Sequence, residues 1–261
     1  MYFYENEKEF LNALKKSPSE FQYQLVCLKN ILMERIQLEK DYKIKYNNIK
    51  FKYYELEKEN YNKRAELTKK IPIFWFKCIE NSSQFKSILN EKDKVILKNL
   101  ENISCENFID GNFKIIFEFN EKENKNFFKN KNLEILFIVD KDFNINEIKS
   151  SEINYINERM NPSIEINQKR VKNKKTDEIT FIEEKKEIIS FFNIFKSIKK
   201  GENKHLNENL NDIYEIGCHL KEDLIPNSIE YFLNLFNEDF DFNVDDNNGS
   251  SELEEEENYE Q

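Results

Sequence analysis

Between residues 17 and 70 the apolar positions recur in alternating steps of four and three. Starting from Phe21, the series runs Leu25, Leu28, Leu32, Arg35, Glu39, Tyr42, Tyr46, Ile49, Tyr53, Leu56, Asn60, Lys63 and Leu67. Ten of these fourteen positions are apolar or aromatic. That is a heptad seam rather than a loose amphipathic face. Ser17-Pro18-Ser19-Glu20 predicts a helix start, with Ser17 as the cap, Pro18 in the first turn and Glu20 reaching back. No further Gly or Pro occurs until Pro72, which predicts the stop. A helix over 17–70 would span roughly 75 Å. The rest of the chain could not easily cover so long a stripe. The seam positions Phe21, Leu25, Leu28, Leu32, Tyr42, Tyr46, Ile49, Tyr53, Leu56 and Leu67 therefore predict pairing with a second copy. The alternative is packing along the chain's own domain. Arg35 and Glu39 interrupt the seam and predict a shift of the contact stripe there.

The pattern changes after Pro72. Ile73-Phe74-Trp75-Phe76, followed by Cys78-Ile79, is the most apolar short run and holds the only Trp. It predicts a helix to about Asn81 at the root of a globular domain. A second short helix follows over 91–100. Phe113, Ile115, Phe117 and Phe119 alternate with Lys114, Ile116 and Glu118, the signature of a half-buried strand. Leu133–Val139 and Ser151–Tyr155 predict two more strands. Ile164–Val171 and Glu178–Ile182 flank Lys172-Asn173-Lys174-Lys175, which reads as a basic hairpin tip. Ser190–Phe195 opens a helical segment, 199–204 reads as a loop, 211–224 as a helix ended by Pro226, and 229–236 as a last apolar turn or helix. Consecutive strands between helices predict an α+β fold with an antiparallel sheet. The organisation expected is a lead-in at 1–16, the long helix at 17–70, a globular α+β domain at 71–237, and an acidic, unpacked tail at 238–261.

Charge sharpens this picture. The chain carries 50 acids and 40 bases, net −10. Eleven acids lie in 238–261: Glu238, Asp239, Asp241, Asp245, Asp246, Glu252, Glu254, Glu255, Glu256, Glu257 and Glu260. No Lys or Arg accompanies them. Residues 1–237 thus hold 39 acids against 40 bases, net +1. The negative charge is a property of the tail. No apolar run approaches the length of a membrane span, and no signal peptide is expected. Cys27, Cys78, Cys105 and Cys218 form no C-x-x-C pair and read as reduced thiols; His205 and His219 have no partners at metal-ligand spacing. Phosphate-loop, dinucleotide and nucleophile-elbow motifs are missing, so neither a cofactor nor catalysis is expected.

The order of motifs resembles the nucleosome assembly protein family, in wording nearest its SET (template-activating factor) branch. Lys63–Leu67 with Lys70–Trp75 resembles the end of that family's long helix. Phe113–Phe119, Asn126–Phe128 with Asn130-Lys131-Asn132-Leu133, and Ser151–Tyr155 follow in the same order. So do Ser190–Phe195, then Asp223–Pro226 with Tyr231-Phe232, and the acidic tail. The similarity covers roughly residues 20–261. It implies a homodimeric, earmuff-shaped histone chaperone that binds core histones and hands them to or from DNA without ATP. It also implies residence in nucleus and cytoplasm. Glu208, Asp212, Glu215, Glu222 and Asp223 are candidates for a folded histone-contact surface, beside the tail acids. The cluster Lys169, Arg170, Lys172, Lys174 and Lys175 stands where the family carries a nuclear-import signal, implying an import receptor as a further partner. The overall acidity argues against stable DNA binding. Two other readings are a SET-like inhibitor of a protein phosphatase and a structural coiled-coil dimer with a solubilising tail.

Overall fold

The structure, a computed structural model, describes residues 7–172, 179–201 and 203–236. The chain opens with a short helix, α1 (Glu7–Lys16), and continues into α2 (Ser19–Thr68), an unbroken helix of 50 residues. The start differs from the expected cap. Pro18 holds the N-cap position, which has no side-chain cap. The Ser17 hydroxyl instead donates to the Leu14 carbonyl at 2.6 Å and closes α1. After α2, Ile73 stands in the left-handed region at φ +54°. A β-branched residue is strained there, and this joint turns the chain into α3 (Phe74–Asn81).

The short helices α4 (Ser83–Lys86) and α5 (Glu91–Leu97) lead into the sheet. Its strands are β1 (Leu100–Asn107), β2 (Phe113–Phe119), β3 (Asn132–Val139) and β4 (Ile145–Ser150), with a one-turn helix α6 (Glu121–Asn124) between β2 and β3. A separate two-stranded arm follows, β5 (Ile164–Lys172) paired to β6 (Ile179–Glu187). The short β7 (Ile198–Lys199) then completes a five-stranded antiparallel sheet of order β1-β2-β3-β4-β7. Last come α7 (Lys204–His219), a π-helical turn at Leu220–Leu224, and α8 (Ser228–Phe232).

The core forms where β2 and β3 turn their apolar sides inward. Phe113, Ile115, Phe117 and Phe119 are all buried, as the period-two pattern requires. Phe113 stacks on Phe137 with ring centroids 4.5 Å apart. The run Ser190–Phe195 is a 3-10 turn over Phe191–Ile194 rather than the start of a longer helix. Its rings lie on the same face: Phe195 meets Phe117 at 5.3 Å and Phe192 meets Phe128 at 6.2 Å. Asp93 locks this turn in place. It forms a capping box with Asn90 at the start of α5, and its carboxylate also accepts the Ser190 hydroxyl at 2.6 Å and the Phe191 amide at 2.8 Å. Burial pushes its pKa up while those three donors pull it back.

Three expectations are corrected. Residues 151–155 are not a strand; Ser151 exchanges bonds with Glu134 near the start of β3, and Tyr155 forms only an isolated bridge to Phe128. The sheet instead uses β1 and β4, and β7 falls where a loop was expected. Finally, α7 begins at Lys204, because the Asn203 side chain caps it by accepting from His205 and Leu206.

Gly217 lets α7 lie close to the sheet. A Cβ there would fall 2.3 Å from the Phe137 ring. Gly217→Ala is expected to force that ring or the helix aside and to cost about 1–3 kcal/mol, as overpacking does. A melting temperature equal to that of the unmodified protein would refute this.

Candidate functional site

The candidate acids lie on α7 and the turn after it. Leu210, Ile213, Gly217, Leu220 and Leu224 face the core. Steps of four, three and seven from Glu208 reach Asp212, Glu215 and Glu222, so these four share the opposite stripe, and all four are exposed. The two ends of the stripe are partly neutralised. Lys204 and His205 approach Glu208 at 3.8 Å each, and Lys50 of α2 bonds Glu222 at 2.7 Å. Asp223 differs from the others. It accepts from the Tyr231 hydroxyl at 2.6 Å and from Asn227 at 2.8 Å, and it pairs with His219 at 3.2 Å. Its carboxylate is committed to holding α8 against the π turn.

His219 also meets the Ser82 hydroxyl at 3.0 Å through its second ring nitrogen. Ser82, His219 and Asp223 thus repeat the order of a hydrolase triad. Ser82 has 0% exposure, however, so no substrate carbonyl can reach it. Burial lowers the imidazole's pKa, and Asp223 partly offsets that. This array ties α3 and α4 to the π turn.

Nine of the ten seam residues stand exposed on α2, and Leu25 is half-buried. Leu56 is 75% exposed, Tyr53 and Tyr42 63%, and Leu67 61%. Only the other side of α2 is fastened to the body. Asn47 donates to the Ile109 carbonyl at 2.8 Å, Lys40 pairs with Asp142 at 3.4 Å, and Lys69 pairs with Glu118 at 3.1 Å. Arg64 donates to the Ile225 carbonyl, with its guanidinium 4.6 Å from the Tyr61 ring centroid.

The strands that flank the basic tip pair with each other, as expected. Lys169 lies on β5 and pairs with Glu184 across the strands at 3.5 Å. Arg170 and Lys172 end β5. Lys174 and Lys175 lie outside the described residues, as do all eleven tail acids at 238–261. The arm is rooted by Asn90, which donates to the Pro162 and Ile189 carbonyls, and by Lys92, which donates to that of Ile164.

Sequence reasoning missed the groove between α2 and β1, with a volume of about 560 Å3. Tyr54, Tyr61, Arg64 and Lys221 line it. Burial holds the Lys221 amine below the usual lysine range. The signal was weak, since these four residues belong to two segments far apart in the chain.

The description of nucleosome assembly proteins (NAP) as a family matches residues 57–235. The chain belongs to the nucleosome assembly protein family. Among relatives, the Nucleosome assembly protein of Saccharomyces cerevisiae is 28% identical over 193 residues, covering 68% of this chain and 46% of that protein. Protein SET of Drosophila melanogaster is 35% identical over 103 residues, covering 39% of this chain and 35% of its own length. This NAP-family chain therefore spans about half or less of those two relatives. Nucleosome Assembly Protein 1 from Plasmodium knowlesi has the same fold, with a TM-score of 0.61 at 22% identity, covering 84% of this chain and 99% of that one. Within the family fold, the acidic stripe lies on the last long helix, and the apolar seam lies on α2. Among the described residues no helix is long and apolar enough to cross a membrane.

Proposed function

We propose that this chain is a histone chaperone. The observation that carries this reading is the family match over 57–235. The relatives named for nucleosome assembly and the outward acidic stripe support it. In this reading two copies pair along the seam of α2. Each copy presents Glu208, Asp212, Glu215 and Glu222 to the Lys and Arg side chains of core histones. The tail acids add long-range attraction. Carboxylates compete with DNA phosphates for the same cations, so the chaperone masks charge that would otherwise bind DNA nonspecifically. Handover is then an exchange of ion pairs that needs no ATP. Histones captured on beads at moderate salt test the reading, and failure to retain the protein there would sink it.

Pairing through α2 makes a first prediction. Leu28→Glu with Leu32→Glu would place charge against an apolar seam and should split the dimer into monomers. Light scattering that finds the unmodified protein monomeric at micromolar concentration would end the idea.

The hairpin makes a second. We assign Lys169, Arg170, Lys172, Lys174 and Lys175 to an import receptor. Changing Lys172, Lys174 and Lys175 to Ala should leave the fold intact, because a loop tip buries little, and should shift a fluorescent fusion out of the nucleus. An unchanged distribution would count against import through this arm.

The third concerns the tail. Removing residues 238–261 takes away eleven negative charges. The truncated protein should stay dimeric, melt within a few degrees of the full chain, and bind histones more weakly at low salt. The gap should narrow as salt rises, because screening shortens the tail's reach to roughly 8–10 Å. Titrations of both forms against each core-histone pair at two salt concentrations decide this. Complete loss of binding would make the stripe irrelevant, and unchanged binding would reduce the tail to a solubiliser.

A further inference from the structure

In the order β1-β2-β3-β4-β7, β1 is an outer strand whose ladder partner is β2. Among the described residues no strand pairs with its other side, and an eight-residue strand with an open side is a template for another strand. Beside that edge lies the groove between β1 and α2. At one end the Tyr54 side chain lies at the Asn107 backbone. The rest offers main chain from Asn102 to Glu106, the Tyr61 ring and four cations, of which Lys50 pairs with Glu222 and Lys58 with Glu55, leaving Arg64 and Lys221. Among the described residues neither of these two makes an ion pair with a carboxylate. Arg64 donates to a carbonyl, and the Lys221 ammonium lies over the Phe113 ring at 4.4 Å. Of the three acids that line the groove, Glu222 pairs with Lys50 and Glu106 with Lys114, while Glu57 stands on the α2 side. An extended, acidic segment with alternating apolar side chains fits such a groove.

The chain carries one such segment. At the head of the tail, Phe240, Phe242 and Val244 alternate with Asp239, Asp241, Asn243 and Asp245. That is a period-two strand pattern, and the distal acids Glu252 and Glu254–Glu257 lack it. The described chain ends ten residues after the groove residue Pro226. Phe236 packs on Tyr231 with ring centroids 4.7 Å apart, and Tyr231 bonds Asp223, the neighbour of the groove residue Glu222. Ile225 and Pro226 line the groove as well. Nine residues, 237–245, reach about 30 Å when extended, enough to run the length of β1.

We propose that residues 239–245 of this chain add as a strand to the free edge of β1, with their carboxylates toward Arg64 and Lys221. Docking would divide the tail in two. The head closes a sheet edge, and Glu252–Glu260 stay free for a basic partner. The inference does not rest on the histone reading, since its test uses the isolated protein.

Amide hydrogen exchange tests it on three proteins: the full chain, a form ending at Asn237, and the full chain with Phe240→Ser, Phe242→Ser and Val244→Ser. Amides of residues 101–107 should exchange on the order of tenfold more slowly in the full chain than in the truncated form. The triple variant keeps all eleven acids and should behave like the truncation. The β5–β6 arm should exchange equally in all three and serves as the internal reference. Equal exchange at β1 in the full and truncated forms would overturn the proposal. Protection that survives the triple variant would also overturn it, because charge alone would then suffice. So would protection that appears only as protein concentration rises, since the strand would then come from another molecule.

Discussion

A helix of 50 residues cannot bury its own apolar stripe, and this constraint organises the molecule. Most side chains of α2 touch only water, α1 or the near side of the globular body. At about 25 cal/mol per Å2 of apolar surface, the bare seam represents a large unrealised stabilisation. A patch of that kind marks an association surface. The seam carries Tyr42, Tyr46 and Tyr53 in its middle rather than Leu throughout. Tyrosine tolerates partial exposure better than leucine, because its hydroxyl stays hydrated while its ring packs. The helix can therefore form within one chain and still gain by pairing.

The body holds α2 along one side only, and the quality of the hold changes along its length. Near the C-terminal end Thr68 is buried and Arg64 is wedged between Tyr61 and the Trp75 ring. Toward the middle the contacts become ion pairs between half-exposed groups, such as Lys40–Asp142. Pairs of that kind contribute about 0–1 kcal/mol each and weaken with salt. The helix is thus anchored firmly at its root and lightly beyond it. A pairing interface placed on the lightly held part can take its own geometry without straining the sheet.

The elements with one dominant period were legible in the sequence. The heptads of α2, the alternation of β2 and the apolar run of β3 each bury a face, and burial is what a pattern of residues records. The two longer strands that were missed, β1 and β4, lack that record. In β1 Ile103 is one of few large apolar residues turned to the core, and its outer side borders α2 rather than water. In β4 Ile145 and Ile148 are spaced by three, because the ladder with β3 shifts register at Ile138 and Val139. Ser17 misled for a related reason. A Ser before Pro suits the start of a helix, but α1 ended one turn earlier and claimed its hydroxyl first. At the site, Glu208, Asp212, Glu215 and Glu222 were legible as candidate acids, but the stripe they share depends on α7 starting at Lys204 rather than near Asn211. Asp223 could not be separated from them in the sequence, since its partner Tyr231 lies eight residues on and is brought near by the π turn.

The acidic stripe runs against the needs of its own helix. Glu208 and Asp212 are four apart, and Asp212 and Glu215 three apart, so like charges face each other along one side. Such pairs destabilise a helix by roughly 0.2–0.5 kcal/mol each. Glu215 also stands in the C-terminal half of α7, where the helix dipole disfavours an anion. Local compensation reaches only the ends, through Lys204 and His205 at one and Lys50 at the other. The core face of α7 supplies the stability that tolerates this, with Leu210, Ile213 and Leu220 buried and Gly217 set close against Phe137. Real proteins break such local rules at functional sites and offset the cost elsewhere. For Asp212 and Glu215, which make no ion pair among the described residues, a cationic partner is the contact that would turn the unfavourable charge into a favourable one.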